Sequence, residues 1–567
     1  MKKFTFGTPE PLVPSVYCDG FRYEETPVSF QPSDFSCRQT ARGFVLEFEM
    51  EEGTQVFGFG LQLKQLNHTG AKLTLSCNAD PKTPNGDSHA PVPFFVTNKG
   101  YGMYFDTART AEFYCGVAKT ERAERKGYEV KLSEQELYAA ETDGKRVMSV
   151  FIPVAQGVDV YVIEGKTILD ITAQYNRLAG GGCDAPDWAL GVLYRTKGTY
   201  NAQEVMDTAL YMRENNIPCD IIGLEPGWQT HAYSCTYVWN KERFPDPKGF
   251  IEKLKGMGFH VSLWEHAFVN PASPVYRDLL PYSGDYRVWN GLVPDFALPE
   301  ARRIFADYQR EALTALGVDG FKADECDGSD NTGGWSFPNH SAFPSGLDGE
   351  QYHHLFGTLY AKTMWQALDH GPTLSESRSM GALAAPYPFV LYSDLYDIKD
   401  FVRGVVNSGF SGLLWAPELR YANSRKEVLR RLQVVTFSAQ CLINAWSNEG
   451  IPWVKFDCVD EVRAILETRK KLLPKLKAAF EKYKATGIPP VRALVMEYTD
   501  DPETYKIDDE YLFCDDLLVA PITDFESDSR EVYLPAGEWF DYYTGETVPS
   551  GKFTVTNENI PVFVRKK

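Results

Sequence analysis

Between residues 186 and 485 the sequence switches repeatedly between short apolar runs and stretches with helical spacing, and this alternation limits the fold more than any other feature. The runs are Ala189–Tyr194, Asp220–Leu224, His260–Trp264, Gly320–Ala323, Thr373–Glu376, Val390–Tyr392, Gly412–Trp415 and Cys441–Ala445, eight in all. Several of the intervening stretches carry helix starts. Asn201 with Glu204, and Ser424 with Glu427, have capping-box spacing, and Pro299 opens a run in which Ile304, Tyr308, Ala312 and Leu316 recur before Gly317. Eight β/α units predict a TIM (β/α)8 barrel. Two irregularities are visible. Ser379 to Val390 is too short for a helix, and the Asp324–Gln351 connection is long and rich in Gly, Ser, Asn and Pro, as an active-site loop would be.

The flanks read differently. In residues 1–185, segments such as Gly43–Met50, Val92–Val96, Gly102–Phe105 and Val158–Ile163 alternate or run apolar between turn residues, which predicts an N-terminal β-sandwich. The barrel domain, 186–485, ends in an amphipathic segment through Val462, Leu466, Leu472, Leu476 and Phe480, with Pro474 expected to bend it. Residues 486–567 return to strands at Tyr511–Phe513, Leu517–Ala520, Val532–Leu534 and Phe553–Val555, a small C-terminal β-sandwich. The class is therefore α/β, a barrel between two β-domains.

Charge removes some partners. With 58 basic against 77 acidic residues the formal charge is −19, which disfavours nucleic acid and anionic membrane but not a neutral ligand. Charged and turn residues interrupt Met1–Pro9 before a signal-peptide core can form, so a cytoplasmic location is expected. Eleven dispersed cysteines without a Cys-x-x-Cys pair argue against a disulfide framework or a cysteine zinc site, and predict mostly buried thiols. Homo-oligomerisation is left open.

In a barrel of this kind, chemistry sits at the C-terminal ends of the strands. The exits carry Glu225 and Trp228, then Trp264 and Glu265, then Lys322, Asp324, Glu325 and Asp327. Later exits carry Glu376 and Arg378, Asp394, Trp415 and Glu418, and finally Trp446. Burying so many carboxylates gains a structural protein little, whereas a two-carboxylate hydrolase needs one ionised acid and one that holds a proton. Strand alternation puts Lys322 and Asp324 on one face, where the lysine favours an anionic nucleophile, with Glu325 and Asp327 as competing choices. Asp394 follows apolar Phe389–Tyr392, where partial desolvation is expected to raise its pKa and suit it to donate a proton. The 31 Tyr, 35 Phe and 11 Trp fit a sugar cleft, although large β-rich cores also consume aromatic rings.

These residues resemble glycoside hydrolase family 31, the retaining α-glucosidase, α-xylosidase and α-galactosidase family. Gly317-Val318-Asp319-Gly320-Phe321-Lys322-Ala323-Asp324 is similar to the family's nucleophile strand, Asn216–Ile222 to its second barrel strand and Pro186–Gly191 to its barrel entry. Asp500–Tyr505, Leu517–Ile522 and Tyr533–Trp539 resemble its C-terminal β-domain. The resemblance implies Asp324 as nucleophile and Asp394 as acid/base in a double displacement on an α-linked oligosaccharide or glycoside, with no metal or organic cofactor. It also implies that Glu225, Glu265 and Glu418 bind hydroxyls, that Trp264 and Trp415 form walls, and that Trp228, Lys322, Arg378 and Trp446 contribute to the substrate site. Each tryptophan has the alternative of packing the barrel mouth, and Arg378 that of a supporting ion pair.

Three departures touch specificity. Met380–Ser393 contains no Arg where family α-glucosidases carry one, Trp446 stands where they have His, and Leu395 follows Asp394 where Asn is frequent. The expectation is an exo-acting retaining α-glycosidase on a terminal glucose or galactose. An α-xylosidase or α-glucan lyase with the same nucleophile, or a non-catalytic carbohydrate-binding protein, are the alternatives.

Overall fold

Short parallel strands build the centre of the molecule, from two residues long to seven. The computed structural model describes residues 1–79, 81–118, 146–328 and 336–566. The barrel strands are β1 (Val192–Arg195), β2 (Ile221–Leu224), β3 (His260–His266), β4 (Gly320–Asp324), β5 (Ser375–Ser377), β6 (Phe389–Leu391), β7 (Glu418–Leu419) and β8 (Cys441–Asn444). They form one eight-stranded parallel sheet in the order β6-β5-β4-β3-β2-β1-β8-β7. The remaining gap is bridged on the sixth strand, where Leu391 N–H donates to the Leu414 carbonyl at 2.8 Å and the Leu391 carbonyl accepts from Ala416 N–H at 2.9 Å. The sheet thus closes into the expected TIM barrel.

Both faces of such strands are covered, so continuous apolar runs are what the sequence must supply. Around them lie α1 (Ala202–Glu214), α2 (Pro247–Gly256), α3 (Pro299–Ala312), α4 (Gly349–Ala367), α5 (Ile398–Ser408), α6 (Arg425–Thr436) and α7 (Val459–Thr486). Asn201 and Glu204 make the reciprocal capping box on α1. At α6 the box is half formed: the Ser424 hydroxyl accepts from Glu427 N–H, but the Glu427 side chain goes to Asn423 N–H instead. The β5–β6 connection has no helix, as its length requires. Pro474 lies inside the single helix α7.

The seventh strand differs from expectation. Gly412 sits at φ 66°, closing a tight turn, and Pro417 has no N–H to donate, so the ladder with β8 begins at Glu418 rather than within Gly412–Trp415. Of the Asp324–Gln351 connection, residues 329–335 lie outside the described part.

Two five-stranded antiparallel sheets face one another ahead of the barrel. One runs Lys2–Thr8, Gln156–Glu164, Tyr101–Asp106, Pro91–Thr97 and Val56–Gly60. The other runs Phe35–Thr40, Gly43–Glu49, Arg146–Pro153, Glu112–Ala118 and Lys72–Thr74. Their inner faces enclose Phe4, Phe44, Leu46, Phe48, Phe95, Phe105, Phe113 and Val150. After the barrel, a six-stranded sheet and a two-stranded ribbon pack over Leu512, Leu518, Val532, Leu534, Trp539 and Phe563. All cysteines are free thiols and all but Cys37 are buried. Among the described residues no helix is long and apolar enough to cross a membrane.

Arg469 on α7 ties this helix to the base of the barrel. Fully buried, it donates to the carbonyls of Leu190 at 2.8 Å, Thr436 at 3.0 Å, Ser438 at 2.6 Å and Ala439 at 3.2 Å. Arg469→Met would leave these acceptors without that donor and is expected to cost about 3 kcal/mol or more. The check is a clear drop in the urea unfolding midpoint, with Arg469→Lys recovering only part of it.

Candidate active site

Strand alternation and parallel register together place the central group. β3 and β4 pair with Trp264 opposite Lys322 and His266 opposite Asp324. Lys322 and Asp324 share a face as expected, with Lys322 Nζ 3.8 Å from Asp324 Oδ2. Trp264 Nε1 donates to Asp324 Oδ2 at 2.6 Å and Glu325 N–H to Oδ1 at 2.8 Å, so both oxygens are oriented. The Glu325 backbone adopts φ 56° to make that turn, a conformation a non-glycine residue holds only when its surroundings impose it.

Arg378, at the exit of β5, joins the two candidate catalytic acids. Its Nη1 lies 3.6 Å from Asp324 Oδ1 and 2.8 Å from Asp394 Oδ2, while Nε donates to Asp327 at 2.7 Å. Because both contacts meet on one nitrogen, the facing oxygens can be no further apart than those contacts laid end to end. A retaining pair stands about 5–5.5 Å apart between carboxyls, a spacing that lies under this ceiling.

Glu225 is buried against Lys322 Nζ at 3.2 Å and Arg195 Nη1 at 3.3 Å. Arg195 is held in turn by Glu376, its Nε donating at 2.9 Å, and by Ser262. On the far side Glu418 binds Arg420 Nε at 2.7 Å and accepts from Asn444 Nδ2 at 2.8 Å. Arg420 Nη2 stands 3.5 Å from Asp394 Oδ1.

Charge states follow from these neighbours. Burial opposes ionisation of Asp324, but Lys322 and Arg378 outweigh it and hold the carboxyl below its usual range. Burial dominates at Glu225 and raises its pKa in spite of Lys322 and Arg195. It also pushes Asp327 up to about 7 against the pull of Arg378. Glu325 is raised well above its usual range by burial and by the charge of Asp324.

Asp394 corrects an expectation. Desolvation does oppose its charge, but Arg378 and Arg420 overcome it and hold the carboxyl well below its ordinary value. Its side chain is 51% exposed, so the apolar run before it does not bury it. The resting group is a carboxylate.

The other predicted residues divide. Trp264, Lys322, Glu225 and Arg378 join the central group, and Glu418 touches it through Arg420. Trp446 stands 42% exposed beyond β8, with its carbonyl accepting from Gly198 N–H at 2.9 Å. Three expectations of substrate contact are not met. Glu265 alternates with Trp264 and His266, so it points into the helix layer, where its Oε1 accepts from Gln309 on α3 at 3.1 Å and Tyr360 on α4 at 3.0 Å. Trp228 lies behind Trp264, donating to that residue's carbonyl at 2.6 Å. Trp415 is buried against α5 and donates to the Phe401 carbonyl at 3.0 Å. Of the residues not foreseen, Arg195 is the last residue of β1 and Arg420 falls two places after Glu418, so a period-two count carried along each strand to its exit would have found both. Among the described residues no His/Cys/Asp/Glu cluster is arranged to hold a metal ion.

Comparison with known proteins gives three matches along the chain. Residues 17–113 match the glycosyl hydrolase 31 N-terminal galactose mutarotase-like domain, 184–479 the glycosyl hydrolases family 31 TIM-barrel domain, and 487–567 the family 31 C-terminal domain. Among curated relatives, an alpha-xylosidase of Emericella nidulans is 23% identical over 92% of this chain and 68% of its own. Alpha-glucosidase 2 of Bacillus thermoamyloliquefaciens is 25% identical over 93% and 68%, and an isomaltosyltransferase of Sporosarcina globispora 22% over 90% and 50%. The chain thus spans 50% to 68% of the length of these relatives. A Flavobacterium johnsoniae GH31 dextranase complexed with glucose shares the fold at TM-score 0.81 and 22% identity, covering 95% of this chain and 68% of that one.

The placement of Glu265 has a measurable consequence. Burial raises its pKa from 4.5 to about 8, so the folded state binds its proton more tightly than the unfolded state does. The stability this proton contributes is complete below about pH 4.5 and is lost as pH rises to 8, at most about 5 kcal/mol over that range. Glu265→Gln is expected to flatten the fall of the unfolding midpoint between pH 5 and 8 while leaving KM unchanged. A raised KM would return Glu265 to the substrate site.

Proposed function

The chain belongs to glycoside hydrolase family 31, and from that membership we propose that it is an exo-acting retaining α-glycosidase releasing a terminal α-linked hexose, glucose or galactose. The observation that carries this reading is Arg378 Nη1 reaching both Asp324 and Asp394. In the first step an Asp324 oxygen attacks the anomeric carbon as the bond to the aglycone oxygen breaks, and Asp394 passes a proton to that oxygen. In the second, water adds to the anomeric carbon, Asp394 takes its proton, and Asp324 leaves with the α configuration restored.

The ionised, oriented Asp324 suits the attacking role. Asp394 as it rests is the base that the second step needs. For the first step it has to carry a proton, and an aglycone that draws it off the arginines makes that protonation easier. Trp264, Glu225 and Lys322 line the glycone side in this reading, and Trp446 stands at the rim. The relatives' names include both α-xylosidase and α-glucosidase, so pentosides belong in the test.

Hydrolysis of nitrophenyl α-glucoside, α-galactoside and α-xyloside by wild type, Asp324→Asn and Asp394→Asn provides that test. Asp324→Asn is expected to lower kcat/KM by on the order of 10³ or more, and Asp394→Asn by about 10²–10⁴ on poor leaving groups. No turnover of any α-glycoside, or full activity in Asp324→Asn, overturns the reading. The arginines predict a pH signature as well. With Asp394 held low, kcat/KM should decline with rising pH already on the acid side of neutrality. Arg420→Met removes one of the two cations and should move that decline to higher pH.

A further inference from the structure

The turn that carries Asp394 is pinned from two domains. Across it, the Ser393 hydroxyl accepts from Leu395 N–H at 3.1 Å, closing the chain over Asp394. From the barrel, Arg420 donates to the carbonyls of Ser393 at 2.8 Å and Asp394 at 3.2 Å. From the N-terminal β-sandwich comes His89, just ahead of the strand Pro91–Thr97, with its Nε2 hydrogen-bonded to the same Ser393 hydroxyl at 2.9 Å. His89 is fully buried, and its Nε2 lies 3.6 Å from Asp327, the acid that also holds Arg378. A second contact from that domain, Cys77 Sγ to Ser379 Oγ at 3.6 Å, reaches the loop leaving β5.

The His89 ring adds no charge to this corner. Burial first, and Arg378 second, push its pKa down to about 3, so it is a neutral hydrogen-bonding partner throughout the working range. What it contributes is direction: the bond fixes the hydroxyl that caps the turn, and the turn fixes where the half-exposed Asp394 carboxyl points.

We propose that His89, supplied by the N-terminal β-sandwich, is a positioning residue for Asp394, acting through the Ser393 hydroxyl. The proposal rests on Asp394 being the acid/base. It follows that losing His89 weakens proton delivery to the leaving oxygen rather than attack by Asp324. Substrates whose leaving group needs that proton should suffer, while an α-glycosyl fluoride, which leaves with little protonation, should be spared. A residue that only fastened two domains together would affect both substrates alike.

The experiment compares kcat/KM, which reports steps through glycosylation, for an alkyl α-glycoside and the α-fluoride of the same sugar. It uses the full chain as wild type, His89→Ala, His89→Gln, Ser393→Ala and Asp394→Asn. His89→Ala is expected to lose about tenfold or more on the alkyl glycoside and less than about twofold on the fluoride. His89→Gln should recover most of the loss, because its amide can occupy the Nε2 position, and His89→Ala with Ser393→Ala should be no worse than either alone. Equal losses on the two substrates, or no loss in His89→Ala and Ser393→Ala, overturn the proposal. If Asp394→Asn itself fails to separate the substrates, the acid/base reading falls, and this proposal with it. Should His89→Ala not fold, His89→Leu, which fills the ring's space without the Nε2 bond, carries the same comparison.

Discussion

One guanidinium organises the mouth of this barrel. Arg378 touches Asp324, Asp327 and Asp394 at once, and from it a chain of alternating charges runs around the strand exits. In one direction it passes through Asp324 to Lys322, Glu225, Arg195 and Glu376. In the other it passes through Asp394 to Arg420, Glu418 and Asn444. β1, β2, β4, β5, β7 and β8, together with the turn after β6, each place a member on it, and β3 joins through the Trp264 hydrogen bond to Asp324. Buried ion pairs are costly unless each charge is matched and hydrogen-bonded. Matching of this kind demands the strand ends in register, so the site is complete only in the closed barrel.

Much of this was legible in the sequence because strand periodicity is a strong signal. The alternation Lys322–Asp324 put a cation and a carboxylate on one face, and their contact follows from the pleat. The same rule, applied to Trp264 and Glu265, would have turned Glu265 away from the mouth. Its acidity and its place at a strand end hid that. Strand lengths were blurred where turn chemistry intervened, as at Gly412 and Pro417. Trp228 and Trp415 show why a tryptophan near an exit is ambiguous: a large ring with one N–H donor serves equally well to back another residue or to seal a helix against the sheet.

What the sequence could not reveal were contacts between distant segments. The pKa expected for Asp394 came from its local apolar neighbours, and the two arginines that reverse it arrive from β5 and from the turn after β7. His89 is separated from Ser393 by most of two domains and carries no local pattern that marks it. Side chains whose role depends on another domain are invisible to periodicity, since periodicity describes one element at a time.

The charge balance of the mouth bears on the chemistry. Six carboxyl groups, Glu225, Asp324, Asp327, Glu376, Asp394 and Glu418, stand among four cations, Lys322, Arg195, Arg378 and Arg420. Burial raises Asp327 to about 7, which takes part of one negative charge out of the count, and it raises Glu225 as well. What remains is a modest negative excess spread around the strand exits, with Asp324 held between Lys322 and Arg378. A glycosidic transition state develops positive charge at the anomeric carbon, and negative charge that is already oriented there need not reorganise to meet it. A larger excess would draw protons onto Asp324, and full neutrality would give the transition state nothing to lean on. The cations therefore do more than offset buried acids: Lys322 and Arg378 keep the Asp324 carboxyl ionised within that excess.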